Sequence, residues 1–191
     1  DFFNRLMGHS LSSGSIEILQ DRTEGWVVGL QLASLSMSEQ KDPTDFIERL
    51  SGSHRFILDY LTEEVISHQP ADVRQFLLQT SILDQLNADL CNTVAERDDS
   101  QAMLEQLLSA NLFLIPLDHE GDWFRYHHLF ADLLRSQHKQ LHADQIIVLH
   151  QRASQWFAAH DFINDAVEHA IAAQDYDLAM ALIEEHAMEV E

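Results

Sequence analysis

The sequence predicts a mainly α-helical protein with a single β-hairpin in its second half. Three observations lead there. Only six glycines and three prolines occur among 191 residues, too few for the turns of an all-β fold. Apolar residues recur at three- and four-residue spacing over most of the chain. That period changes once, at "NLFLIPLD" and "WFRYHH", where alternation takes over.

In order along the chain, Phe3, Leu6 and Met7 form a first apolar stripe, and "SSGSIEILQDR" follows with serines ahead of Ile16 and Leu19. The spacing of Trp26, Leu30, Ala33 and Met37 predicts a helix in "TEGWVVGLQLASLSM", with Thr23 as its N-cap and Glu24 in its first turn. Gly25 and Gly29 lie one turn apart, each costing about 1 kcal/mol relative to Ala inside a helix. Such a cost implies that a backbone or ligand approaches closely at Gly29. A polar break at 38–45 and a short helix at 44–50 come next. Ser53 then caps an amphipathic helix whose Phe56, Ile57, Tyr60, Leu61, Val65 and Ile66 face inward.

Pro70 opens a helix with Val73, Phe76, Leu77 and Thr80 on one side. Helices over roughly 87–95 and 99–110 follow, the second entered through Asp98, Asp99 and Ser100. "NLFLIPLD" and "WFRYHH" flank "HEGD" as a hairpin, and the helix "LFADLLRSQHKQL" comes directly after it. Three helices, a hairpin and a trailing helix are a winged-helix order. The remaining chain is helical with short links, and Trp156, Ala166, Ala170 and Tyr176 sit where helical repeats set small residues against aromatics. So short a run cannot bury a solenoid core, and more repeats are expected beyond Glu191. The expected divisions are a helical (lid) domain at 1–52, a connecting helix at 53–70, a winged-helix domain at 71–141 and the start of a tetratricopeptide-like α-superhelix at 142–191.

Charge narrows the function classes. The formal net charge is −21, and residues 71–141 carry five basic side chains against eleven carboxylates, a balance of −6. A wing that reads a DNA groove needs the opposite sign. The single cysteine, Cys91, excludes an internal disulfide and fits a reducing cytoplasm, the expected location. No apolar run of about 18 residues suggests a membrane span. The absence of an initiator Met and the apolar helical pattern at the last residues suggest a segment of a longer protein.

No phosphate loop, nucleophile elbow or dinucleotide-binding glycine pattern occurs, so no catalytic residue and no enzyme activity are expected for this segment. His138 and His142 have the spacing that lets two imidazoles share a cation, but no third ligand is near, and a solvated helix face is the expectation. No metal is expected. In "WFRYHHLF", strand alternation puts Trp123, Arg125 and His127 on one side and Phe124, Tyr126 and His128 on the other. Arg125 and His127 then meet at the start of a helix, whose free N–H groups attract anions. Two readings stay open from the residues alone: a phosphate contact, or local capping by His127 with Arg125 paired to a surface carboxylate.

The blocks "RTEGWVVGLQLASLSM", "FIERLSGSHRFILDYLTEEVISHQP", "FLLQTSILDQLNADLC", "LLSANLFLIPLD" and "WFRYHHLFADLLR", in that order, resemble the large LuxR-type regulators of the MalT-like kind. These are signal-transduction ATPases with numerous domains. The resemblance implies an upstream P-loop ATPase core, a downstream superhelix that senses a small-molecule or protein inducer, and a C-terminal helix-turn-helix that alone would bind DNA. It implies ADP or ATP as cofactor of the intact protein, with none held by this segment, and no membrane partner. A "GLPLA" motif of related switches corresponds to Gly29, Leu30, Gln31, Leu32 and Ala33, with Gln31 in place of proline near the adenine. An "MHD" motif corresponds to Tyr126, His127 and His128, which makes His127 the residue facing the β-phosphate and Arg125 its helper. His128 replaces the aspartate. The implied function is the regulatory middle segment of an ATP-dependent transcription activator. The alternative is a non-catalytic helical adaptor that binds a protein or peptide through its repeat groove.

Overall fold

The computed structural model describes residues 13–30, 55–141 and 143–189. The expectations for residues 1–12, Gln31, Leu32, Ala33, Met37, the break at 38–45, the helix at 44–50, the Ser53 cap and His142 lie outside these residues. Among the described residues there are nine α-helices, one π-helical turn and two strands. The helices are α1 (Ser13–Thr23), α2 (Arg55–Tyr60), α3 (Ala71–Thr80), α4 (Ala88–Ala95), α5 (Ser100–Ser109), α6 (His128–Leu141), α7 (Ala143–Ala159), α8 (Ile163–Ala172) and α9 (Tyr176–Glu189). The strands are β1 (Leu114–Pro116) and β2 (Phe124–Tyr126). The class is mainly α with one hairpin, as the patterning predicts. No described helix is long and apolar enough to cross a membrane.

The chain divides into two compact units, one holding the described residues up to Gln69 with His127–Leu133, the other Pro70–Tyr126 with the residues from Leu134 onward. In the first unit, Leu19, Leu30, Ile57, Leu61, Ile66, Leu129, Phe130 and Leu133 are buried. The turn Leu61–Ile66 that continues α2 is π-helical, and the Ser67 N–H closes it on the Thr62 carbonyl at 2.9 Å.

Thr23 ends a helix where the sequence reading has it start one. It is the last residue of α1, fully buried, with its hydroxyl donating to the Leu19 carbonyl at 2.8 Å. Glu24 and Gly25 follow at φ 48° and 77°. Left-handed residues after a helix are the usual C-terminal stop, and glycine takes that conformation at no steric cost. The short helical run at 27–30 begins only after this turn.

In the second unit, α3, α4 and α5 stack Val73, Phe76, Leu77, Leu90, Cys91, Val94, Met103, Leu104 and Leu107 into one core. The Asn87 side chain caps α4 by accepting the Leu90 N–H at 2.8 Å. At α5 the expected acidic cap is replaced: Asn92 accepts the Ser100 N–H at 3.0 Å, and the Asp99 carboxylate accepts from Arg97 at 2.9 Å. β1 and β2 pair antiparallel, Ile115 opposite Arg125. Leu86 extends the pair through two 2.8 Å hydrogen bonds with Phe124. Phe124 and Tyr126 face the core, and the Tyr126 hydroxyl lies 2.7 Å from that of Thr80.

The Asp118 carboxylate organises the hairpin loop, accepting the N–H groups of Gly121 at 2.6 Å and Trp123 at 2.9 Å. Desolvation, the largest single influence, would raise the carboxyl, but the N–H groups of Gly121, Trp123, Asp122 and Glu120 together hold it below the usual range. Two side chains of α7 bind α4. Arg152 donates to the Val94 carbonyl at 3.1 Å and pairs with Glu96 at 2.7 Å. Trp156 donates its indole N–H to Asp89 at 2.6 Å.

Candidate functional site

His127 sits between the end of β2 and the first residue of α6 and is 5% exposed. Its Nδ1 accepts the Leu129 N–H at 3.2 Å. That bond caps α6, filling the role that Asn, Asp, Ser or Thr usually has at a helix start. An Nδ1 that accepts must be unprotonated, so the neutral ring carries its hydrogen on Nε2. Nε2 in turn donates to the Thr23 carbonyl at 2.9 Å. Thr23 closes α1, where carbonyls lack intrahelical partners, and it also accepts the Trp26 N–H at 2.8 Å. One neutral imidazole, with one donor and one acceptor, thus serves a helix end and a helix start. Of the two readings left open at the sequence level, the capping contact of His127 is present in the structure.

The neighbouring ring does not point away. His127 and His128 stack with centroids 4.9 Å apart and planes 18° from parallel. Strand alternation fails here because β2 ends at Tyr126 and α6 begins at His128, so the period of two no longer applies. His128 Nδ1 lies 2.7 Å from a Glu24 carboxylate oxygen.

Glu24, His127 and His128 each bring one ligand atom within 4.8 Å of the others. Both nitrogens of His127 are nevertheless engaged with backbone groups, and Glu24 already bonds His128. Coordination by His127 would require it to leave either the Thr23 carbonyl or the cap of α6. The arrangement is a hydrogen-bonded cluster that a cation could use only after rearranging.

Gly29 is buried, and the close approach expected of it is made by the chain's own Trp26. A Cβ built at Gly29 would lie 2.2 Å from the Trp26 ring. That ring stands edge-on to His127 at 6.1 Å between centroids and 6.0 Å from Tyr60. Sequence spacing marks Trp26 only as a core residue; its position i−3 to a glycine is the signal for this fit. Arg125 lies at the centre of β2, half-buried, with its guanidinium donating to the Tyr126 carbonyl at 3.3 Å. His138 departs from expectation: it is 1% exposed and belongs to the buried side of α6, one turn after Leu134, so it is no solvated face.

The MalT winged helix domain family matches residues 62–146, a span that takes in α3 to α6 and the hairpin. The chain is MalT-like. It is 33% identical over 188 residues to the HTH-type transcriptional regulator MalT of Serratia proteamaculans, covering 97% of this chain and 21% of that protein. The MalT of Vibrio cholerae is 32% identical over 187 residues, with 97% and 21% covered. The serine/threonine-protein kinase PknK of Mycobacterium tuberculosis is 34% identical over 178 residues, with 93% and 16% covered. The MalT-like chain therefore spans about a fifth or less of the length of these relatives. Proteins named for two different outputs share the region that holds the wing and His127.

Proposed function

We propose that this MalT-like chain is the regulatory middle segment of a transcriptional regulator. It would relay the state of a sensor and of an ATPase core to the output of the whole protein. The single observation that carries this reading is the His127 bridge, in which one Nε2–H fastens the start of α6 to the end of α1. A lone hydrogen on a neutral ring can serve one acceptor at a time, so that contact has two discrete states, made and broken. The similarity to MalT proteins supports transcription regulation as the output. A net charge of −21 argues that DNA is met by another part of the protein.

ADP or ATP is implied by the family, and the fit of this chain's own residues is poor. The Nε2–H of His127 is engaged and nearly buried, the space at Gly29 holds Trp26, and no phosphate loop occurs in the sequence. A nucleotide would be held by the ATPase core, with His127 offering at most one donor. In the intact protein, His127→Ala is expected to speed ADP release and raise basal transcription. Release unchanged in a folded variant refutes a nucleotide-linked role for the bridge.

The similarity to PknK favours a second output for the same relay. A kinase and a DNA-binding regulator have no reaction in common, so a shared segment of this kind would serve control rather than chemistry. Fusing the segment's parent to either output and testing inducer response distinguishes the two.

A further inference from the structure

We propose that a pocket of about 160 Å³ in the second unit, lined by Arg135, His138, Lys139 and His150 beside Ser81 and Ile146, binds a small oxyanion, a phosphate ester or a carboxylate. The chain has 32 carboxylates and only 11 lysines and arginines, yet two of those bases line this pocket and no carboxylate does among the described residues. Such a reversal of the surrounding field concentrates an anion where the rest of the surface repels it.

The donors are held in place. Arg135 gives Nε to the Ser81 carbonyl at 2.7 Å and Nη2 to the Leu83 carbonyl at 3.3 Å and to Asp84 at 2.6 Å. Its guanidinium plane is thereby fixed with Nη1 left for a ligand, which lowers the ordering cost of binding. Asp84 is 84% exposed and does not line the pocket. Lys139, in the last turn of α6, is exposed and adds a movable point charge. Ile82 and Ile146 limit the space to a compact ligand.

His150 supplies the selective element. Its Nδ1 lies 2.7 Å from Nδ1 of His169, so one of the two rings donates to the other and His150 Nε2 remains for the pocket. Burial, then the neighbouring His169, His138, Arg135 and Lys139, push His150 down to about 4. Among these groups Arg135 and Lys139 carry full positive charge at neutral pH, so the local potential is positive. A bound anion reverses that sign and draws a proton onto the ring. If His150 donates Nδ1–H to His169, the new proton goes to Nε2, toward the ligand.

The experiment follows the histidine ring signals of the full chain by NMR during titration with inorganic phosphate and, separately, acetate. A saturable shift of His150 toward the imidazolium position is expected with one of them, which assigns the ligand class. Lys139→Gln should weaken that response at least about tenfold, whereas Arg97→Gln, at a residue of the same unit that does not line the pocket, should not. Sulfate, whose charge is constant, should bind more tightly as pH falls from about 8 to 6. No saturable shift with either anion, or an equal response in the Lys139→Gln protein, overturns the proposal.

Discussion

Thr23 offers its backbone carbonyl to the Nε2–H of His127 at 2.9 Å, across 104 residues of sequence. Because Nδ1 of the same ring accepts from Leu129, the bond depends on a neutral imidazole of one tautomer. His127→Ala removes the cap of α6 and a buried donor together. Its expected cost is about 2–3 kcal/mol in urea unfolding, from a lost cap and an unsatisfied buried N–H. His127→Asn, which caps well but is too short for the Thr23 carbonyl, should recover roughly half of that loss. Equal stability of the two variants would show that the bridge to α1 contributes nothing.

Gly29→Ala sets two effects against each other. Helix propensity would gain about 1 kcal/mol, but a methyl 2.2 Å from the Trp26 ring cannot be accommodated without moving it. Overpacking of that kind costs about 1–3 kcal/mol, so a net destabilisation is expected. In a Trp26→Leu background the sign should reverse. A thermodynamic cycle on the two positions reads the coupling directly.

Inside the winged helix, Thr80 donates to the Phe76 carbonyl at 2.7 Å, which leaves its oxygen to accept from Tyr126. Tyr126→Phe removes one bond and should cost about 1 kcal/mol. Thr80→Val removes both and should cost about twice as much. A larger loss for Tyr126→Phe would mean that the hydroxyl has been assigned the wrong direction.

The His150 and His169 pair predicts an acid-sensitive fold. Burial holds both at about 4, followed for His150 by His169, His138, Arg135 and Lys139, while at His169 Asp84 opposes Arg135. An unfolded histidine titrates near 6.5, so below that pH the unfolded chain takes up protons that the folded pair refuses. Stability is complete above about 6.5 and declines as pH falls toward 4. His169→Gln should flatten the slope of Tm against pH between about 6.5 and 5, a range largely above the carboxylates. An unaltered slope rules the pair out as its source.

Much of the architecture was legible because helices and hairpins announce themselves by period. Val73, Phe76, Leu77 and Thr80 are all buried as their spacing requires, and "HEGD" lies between two paired strands. What was not legible depends on contacts distant in sequence. A threonine before Glu and Gly reads equally as a start or a stop, and the left-handed turn decided for a stop. The direction of His128 and the burial of His138 follow from where β2 ends and which side of α6 is covered, neither of which the alternation of residues encodes. The place of His127 at a helix start is visible in the sequence, but its acceptor on Thr23 carries no local signal.

Arg152 and Trp156 join α7 to α4 by charge-assisted hydrogen bonds at two points four residues apart. Two fixed points on one helical face prevent α7 from pivoting about either. A tilt imposed on α7 would therefore reach α4 as torque on a stiff arm, with little of it absorbed at the junction.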